Sequence, residues 1–242
     1  SMIPFPSLPF ALADSPADTF NPASIWNEAS PFNKGVIILL ILLLALQLYI
    51  AIERGVLYLQ SHAASQKFLK AFMPTLRRGD FEAAKQAAGL HSRSHVALVL
   101  KHGLDIYQYE KQLKQLNESH DVIQPVERAI ARGISEVTEL LKKGMLSLAT
   151  IGALAPFIGL LGTVVGIIKV FSDLKTKGAG DINALAGSIG EALGTTALGL
   201  ICAIPAVWIY NFYTTKQDQV VTHIHNAASQ MIDEFIRRES QG

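Results

Sequence analysis

Apolar residues in this chain gather into three long runs, and between the first and second they recur three and four apart among polar residues. The first run, 35–52, reads GVIILLILLLALQLYIAI; the second covers 145–171 and the third 184–213. A bilayer core takes about 20 helical residues, so each run is long enough to cross one. The mixed region is punctuated by Pro74, by Gly79-Asp80 before FEAAKQAA, and by Gly89. Asp80 suits a helix N-cap and Gly89 a C-cap. Ser94 to Asn117 keeps the helical period, and Pro125 suits a first turn. No strong breaker follows before Pro156, so one helix is expected to run from the mixed region into the second apolar run, weakened only at Gly133 and Gly144. Beyond Tyr213, Val220, Ile224, Ala228 and Ile232 extend the last helix to about Ser240.

The second and third runs are not plain lipid anchors. Gly162 and Gly166 stand in GxxxG spacing with Gly159 one turn earlier; Gly190 and Gly194 do the same, followed by Thr195, Gly199 and Ala203 at four-residue steps. Small residues let membrane helices approach closely. Pro156, Gly159, Thr163 and Gly166 share one helix face, as do Ala192, Thr196, Gly199 and Ala203, with Pro205 beyond them. For the glycines, helix packing is a sufficient account. Thr163, Thr195, Thr196 and Glu191 are different, because they put polar groups deep inside apolar spans. A carboxylate at that depth costs roughly 3 kcal/mol unless paired, protonated or facing water, which makes it a functional-site candidate. Folding the hairpin about Lys177 sets Thr163 opposite Ala192, with Glu191 at similar depth and Thr196 about one turn deeper.

The composition, 50% hydrophobic and 17% charged, fits a membrane protein with a soluble part. Fourteen of the 21 Lys and Arg residues lie between Arg54 and Lys143, and the first 33 residues hold none. The positive-inside rule then puts the N-terminus outside and the central region in the cytoplasm. The fold class expected is all-α, a polytopic membrane protein with three transmembrane helices, the second and third extending into a cytoplasmic helical bundle. The segments are a periplasmic extension with a short amphipathic helix around Trp26 (1–34), spans at 35–52, 145–171 and 184–213, a cytoplasmic domain (53–144), a periplasmic connector (172–183) and a cytoplasmic C-terminal helix (214–242). The first span lacks that small-residue pattern and is expected on the lipid side of the bundle. Arg54, Lys142, Lys143 and Lys216 flank the membrane on one side and form a candidate collar for anionic phospholipid. Ala11-Leu12-Ala13 hints at a signal-peptide end, but Pro4, Pro6 and Pro9 interrupt the run and no basic residue precedes it; disorder is expected there. Cys202 is read as a small packing residue without a disulfide. His91 and His95 have a metal-ligand spacing but no third ligand nearby, so a solvated connector is the better reading. No nucleotide-binding fingerprint, catalytic triad or metal signature occurs. Neither enzyme activity, cofactor nor metal is expected, and the basic residues lack the interleaved aromatics of a nucleic-acid site.

Residues 155–167, APFIGLLGTVVGI, resemble the second-helix signature of the ExbB/TolQ (MotA/TolQ/ExbB) proton channel family. Residues 190–200, GEALGTTALGL, with AIPAV at 203–207 and Tyr210-Asn211, resemble its third helix. Val165 and Gly194 depart from the familiar residues at their positions. The resemblance implies a homopentamer whose second and third helices line a pore, with Thr163, Thr195 and Thr196 on the proton path and Glu191 at the pore or a subunit interface. It implies an ExbD-like partner whose single transmembrane helix carries an Asp inside that pore, and a TonB-like periplasm-spanning protein that receives the work. One charge crossing 100 mV releases about 2.3 kcal/mol. An ExbB-like role energising TonB-dependent transport is favoured over a TolQ-like or gliding-motility role; MotA-type stators have a fourth span. The reading of a different class is a non-conducting structural scaffold. A transporter is disfavoured, since no internal repeat is visible.

Overall fold

The computed structural model describes residue 26 and residues 29–116, 119–177 and 182–241. Among them the regular structure is α-helical: α1 (Pro31–Arg78), α2 (Phe81–Leu90), α3 (His95–Lys114), α4 (Ile123–Lys142), α5 (Met145–Lys177) and α6 (Ile182–Glu239). Stretches long and apolar enough to cross a membrane fall within Pro31–Arg78, Ile123–Lys175 and Gly187–Glu239, one for each expected span. The signal-peptide and disorder expectations for residues 1–25, and the connector residues 178–181, lie outside the described residues. Trp26 is helical and exposed, with the Lys34 ammonium 5.6 Å from its ring centre.

Helix ends follow local chemistry. Ser30 caps α1, its Oγ accepting the Asn33 N–H at 3.2 Å, and Pro31 takes the first helical position, where no N–H is needed. Contrary to expectation, Pro74 does not interrupt α1. It lies on the exposed side, away from buried Phe72 and Leu76, where the carbonyl it leaves unbonded can be hydrated. The helix ends instead at Gly79, in the left-handed region at φ +79°. Gly79 N–H reaches the Leu76 carbonyl and Asp80 N–H the Thr75 carbonyl, the pairing of a Schellman motif. Asp80 then caps α2 as expected, accepting from Ala83 N–H at 3.0 Å. Gly89 is a residue of α2 rather than its cap; His91 closes that end.

The expected unbroken helix through Gly144 is two helices. Gly144 takes φ +81°, so α4 stops at Lys142 and α5 starts at Met145. Leaving the helix there frees the last carbonyls of α4. Arg54 Nη1 donates to Leu140 O at 3.1 Å and Gln217 Nε2 to Leu141 O at 2.5 Å.

The chain forms two compact units. One comprises Ser1–Leu46 and Thr150–Val207. Its core takes Val36 and Leu40 from α1, Ile151 and Ala155 from α5, and Cys202, Ala203 and Ala206 from α6. Free Cys202 is buried, with Sγ 3.7 Å from Leu40 O, a packing residue as expected. Val36, Ile37 and Leu40 form a narrow buried stripe, while Ile38, Leu39, Ile41 and Leu42 remain exposed. Outward-facing Phe157, Leu161, Val164, Ile168, Leu193, Leu200 and Ile204 extend that apolar surface, far more than water tolerates on a soluble monomer.

The second unit comprises Gln47–Ala149 and Trp208–Gly242. Buried residues three and four apart on α4 (Val126, Ile130, Ile134, Val137) meet Val99, Leu100 and Leu104 of α3 and Ile224 and Met231 of α6. Tyr107 stacks on Phe235 with ring centres 3.8 Å apart. Its hydroxyl donates to Glu239, which also pairs with Lys114 at 2.6 Å. The last helix is therefore anchored near its end, running through Val220, Ile224, Ala228 and Ile232 to Glu239 as its periodicity predicts.

Candidate functional site

The site lies in the first unit, where α5 and α6 touch at backbone distance. A Cβ on Gly159 would stand 2.7 Å from the Thr195 carbonyl oxygen and 3.1 Å from the Gly199 Cα; one on Gly199 would stand 2.7 Å from the Ala155 carbonyl oxygen. Only glycine at both positions permits this approach. Gly162 lies against Thr195, and Gly166 against Ala192 and Asn33. Gly194 is buried; Pro156 and Pro205 are half-buried within unbroken helices. Gly190 is exposed, and a Cβ built there would meet nothing within 4 Å among the described residues.

The register differs by about one turn from the fold drawn about Lys177. Thr163 faces Thr196, not Ala192: their hydroxyl oxygens are 2.5 Å apart. The reason is that α5 continues through Lys177 and α6 begins only at Ile182, which moves the turning point along the chain. Thr163 is 7% exposed, and its Oγ1 also lies 3.2 Å from the Gly159 carbonyl. Thr195 has no exposed surface, and its Oγ1 donates to Ala192 O at 2.7 Å and Gly159 O at 3.1 Å. It therefore clamps α5 to α6 and lines no open surface of the chain, unlike half-buried Thr196.

Glu191 is 5% exposed and is bonded within its own chain. One oxygen, Oε1, accepts Asn33 Nδ2–H at 2.7 Å and Ser30 N–H at 2.9 Å. Among the described residues no Lys, Arg or His lies within ion-pair distance of it. Sequence reasoning missed this pairing. Ser30-Pro31 before the first apolar run does signal a helix start, but its partner lies 161 residues away.

In the other unit, the basic collar loses a member. Arg54 is 5% exposed and serves the α4 carboxyl end through Leu140 O, whereas Lys142, Lys143 and Lys216 are exposed. His91 and His95 are half-buried rather than solvated: His91 Nδ1 bonds to Ala87 O at 2.8 Å and His95 Nδ1 to Ser61 Oγ at 2.6 Å. Burial pushes the His95 pKa down from its ordinary value. Among the described residues no three His, Cys, Asp or Glu side chains gather as metal ligands.

Comparison with known proteins matches residues 94–226, more than half of the chain, to the MotA/TolQ/ExbB proton channel family. The chain is 42% identical over 110 residues to the biopolymer transport protein ExbB of Xanthomonas campestris pv. campestris, covering 46% of this chain and 44% of that protein. It is 34% identical over 154 residues to the protein of the same name from Salmonella typhimurium, covering 62% and 61%. It is 38% identical over 114 residues to the Tol-Pal system protein TolQ of Pseudomonas aeruginosa, covering 47% and 48%. The chain thus spans about half the length of the curated relatives it matches.

Proposed function

Because the chain belongs to the MotA/TolQ/ExbB proton channel family, we propose that it is an ExbB-like subunit of a proton-driven motor in a bacterial inner membrane. Five copies surround a pore. An ExbD-like partner places a single transmembrane helix with a carboxylate inside it, and proton passage drives a TonB-like protein that energises transport across the outer membrane. The N-terminus is periplasmic; residues 53–144 and the C-terminal helix are cytoplasmic. Lys142, Lys143 and Lys216 meet anionic phospholipid headgroups. The chain provides the pore and its polar lining and performs no enzymatic chemistry of its own.

The observation that carries this reading is the pair of joined hydroxyls, Thr163 and Thr196, set beside Thr195 in a helix contact otherwise built of glycine and alanine. Packing alone would be served by valine. A hydroxyl adds hydrogen-bonding capacity beside a carboxylate that gains and loses a proton. Glu191 adds a carboxylate at the outer part of the same unit. A TolQ-like role in the cell envelope is the second reading, supported by the identity to the Pseudomonas aeruginosa protein.

The test uses Thr163→Val together with Thr196→Val in the complete complex. Valine keeps the volume and removes both hydroxyls. The expected outcome is an intact oligomer that no longer supports proton-motive-force-dependent uptake. Uptake at the wild-type rate means the hydroxyls are structural and favours the scaffold reading.

A further inference from the structure

The start of α1 holds Glu191, and the family match, which begins at residue 94, does not reach the residues that do so. In a capping box, a side-chain carboxylate on the third helical residue bonds the N-cap N–H. Here the third residue is Asn33, whose own N–H goes to Ser30 Oγ, and the carboxylate on the Ser30 N–H comes from α6 instead. Glu191 thus sits at a helix N-terminus, where the backbone dipole favours negative charge. Asn33 adds a side-chain donor at 2.7 Å. Its amide has no exposed surface, and its other end, Oδ1, has no hydrogen-bond partner among the described residues. An unpartnered buried acceptor is costly, and its retention calls for an explanation. An amide offers both a donor and an acceptor. Nδ2–H serves an ionised carboxylate, and a turn of the amide brings Oδ1 to a protonated one.

We propose that Asn33, seconded by the Ser30 N–H, is the positioning residue for Glu191, holding its carboxyl group at one place in both of its protonation states. The inference rests on the reading that Glu191 lies on the proton path. The variants are Asn33→Leu, Asn33→Gln, Glu191→Gln and the Asn33→Leu/Glu191→Gln pair, each in the full complex with its partner in liposomes. Two quantities are read: proton flux, and the infrared carbonyl band of Glu191, identified by its loss in Glu191→Gln. Asn33→Leu is expected to shift that band, which only the protonated acid shows, to higher frequency, as an acid carbonyl does when its own hydroxyl loses a hydrogen-bond acceptor. It should lower flux roughly tenfold, a loss typical of one hydrogen bond to a charged group. Asn33→Gln, which keeps an amide, should return the band and much of the flux. The double variant should be no slower than Glu191→Gln alone. An unmoved band in Asn33→Leu, or losses that multiply in the double variant, overturns the proposal. A band that moves in Asn33→Leu while the wild-type complex itself carries no protons upholds the contact and overturns the motor reading instead.

Discussion

Replacing Gly159 by alanine tests the contact on which the hydroxyl pair depends. The added methyl would lie 2.7 Å from the Thr195 carbonyl oxygen, 3.0 Å from the Thr196 Cα and 3.1 Å from the Gly199 Cα. All three are backbone atoms, so no side chain can swing away; α5 and α6 must separate by several tenths of an ångström. Overpacking of this kind costs about 1–3 kcal/mol. Separation also weakens the Thr195 bond to the Gly159 carbonyl, worth about 1 kcal/mol. Alanine returns about 1 kcal/mol of helix propensity, so the net loss is about 1–3 kcal/mol. Gly35→Ala is the matched control: it lies in α1 of the same unit, and a Cβ there meets nothing within 4 Å. Reversible unfolding in mixed micelles should rank Gly159→Ala below wild type and Gly35→Ala level with it or above. Equal stability of the two variants would refute the backbone-contact account.

Two further outcomes are expected. His95, half-buried beside Ser61, has a folded pKa held below its unfolded value of 6.5, so its contribution is complete above about 6.5 and is lost as pH falls towards the folded value. Acidification from pH 7 to 5 should lower the unfolding midpoint of wild type more than that of His95→Gln, and parallel slopes would count against it. Glu234, whose pKa Arg237 and Arg238 hold down, loses its contribution only at lower pH, as pH falls from about 4.5 towards its folded value. Removing Lys142, Lys143 and Lys216 together should deplete co-purified phosphatidylglycerol or cardiolipin, at about 1 kcal/mol per charge; lipid content unchanged by mass spectrometry contradicts the collar.

The three spans and their small-residue faces were legible in the sequence because run length and four-residue spacing are local properties. Gly79-Asp80 was legible for the same reason: a left-handed glycine followed by a capping side chain is written into two neighbours. Pro74 and Gly144 were misread in opposite senses. A proline on an exposed helix face leaves its unbonded carbonyl to solvent, while a glycine at φ +81° ends a helix outright, and neither exposure nor φ is encoded by residue type alone. The hairpin register depended on where α5 stops, which apolar content does not mark, since the helix continues through the polar residues up to Lys177. Arg54 was read as facing lipid headgroups, and Glu191 as paired, protonated or facing water at the pore or a subunit interface. Each has a partner inside the chain, Arg54 Nη1 a carbonyl at the end of α4 and Glu191 Oε1 the start of α1, and such long-range pairings leave no trace in spacing.

Counting hydrogens on the two joined threonines gives one more result. The pair has two hydroxyl hydrogens for three places: the Gly159 carbonyl, the gap between the oxygens, and whatever lies beyond Thr196. When Thr163 points at Gly159, Thr196 must fill the gap and shows only lone pairs beyond. When Thr163 turns towards Thr196, the Thr196 hydrogen is released outward, at the expense of a 3.2 Å bond. Rotating two C–O bonds thus reverses the polarity of the pair without moving a heavy atom. An acid or its anion arriving at Thr196 finds a matching partner while both helices stay where they are.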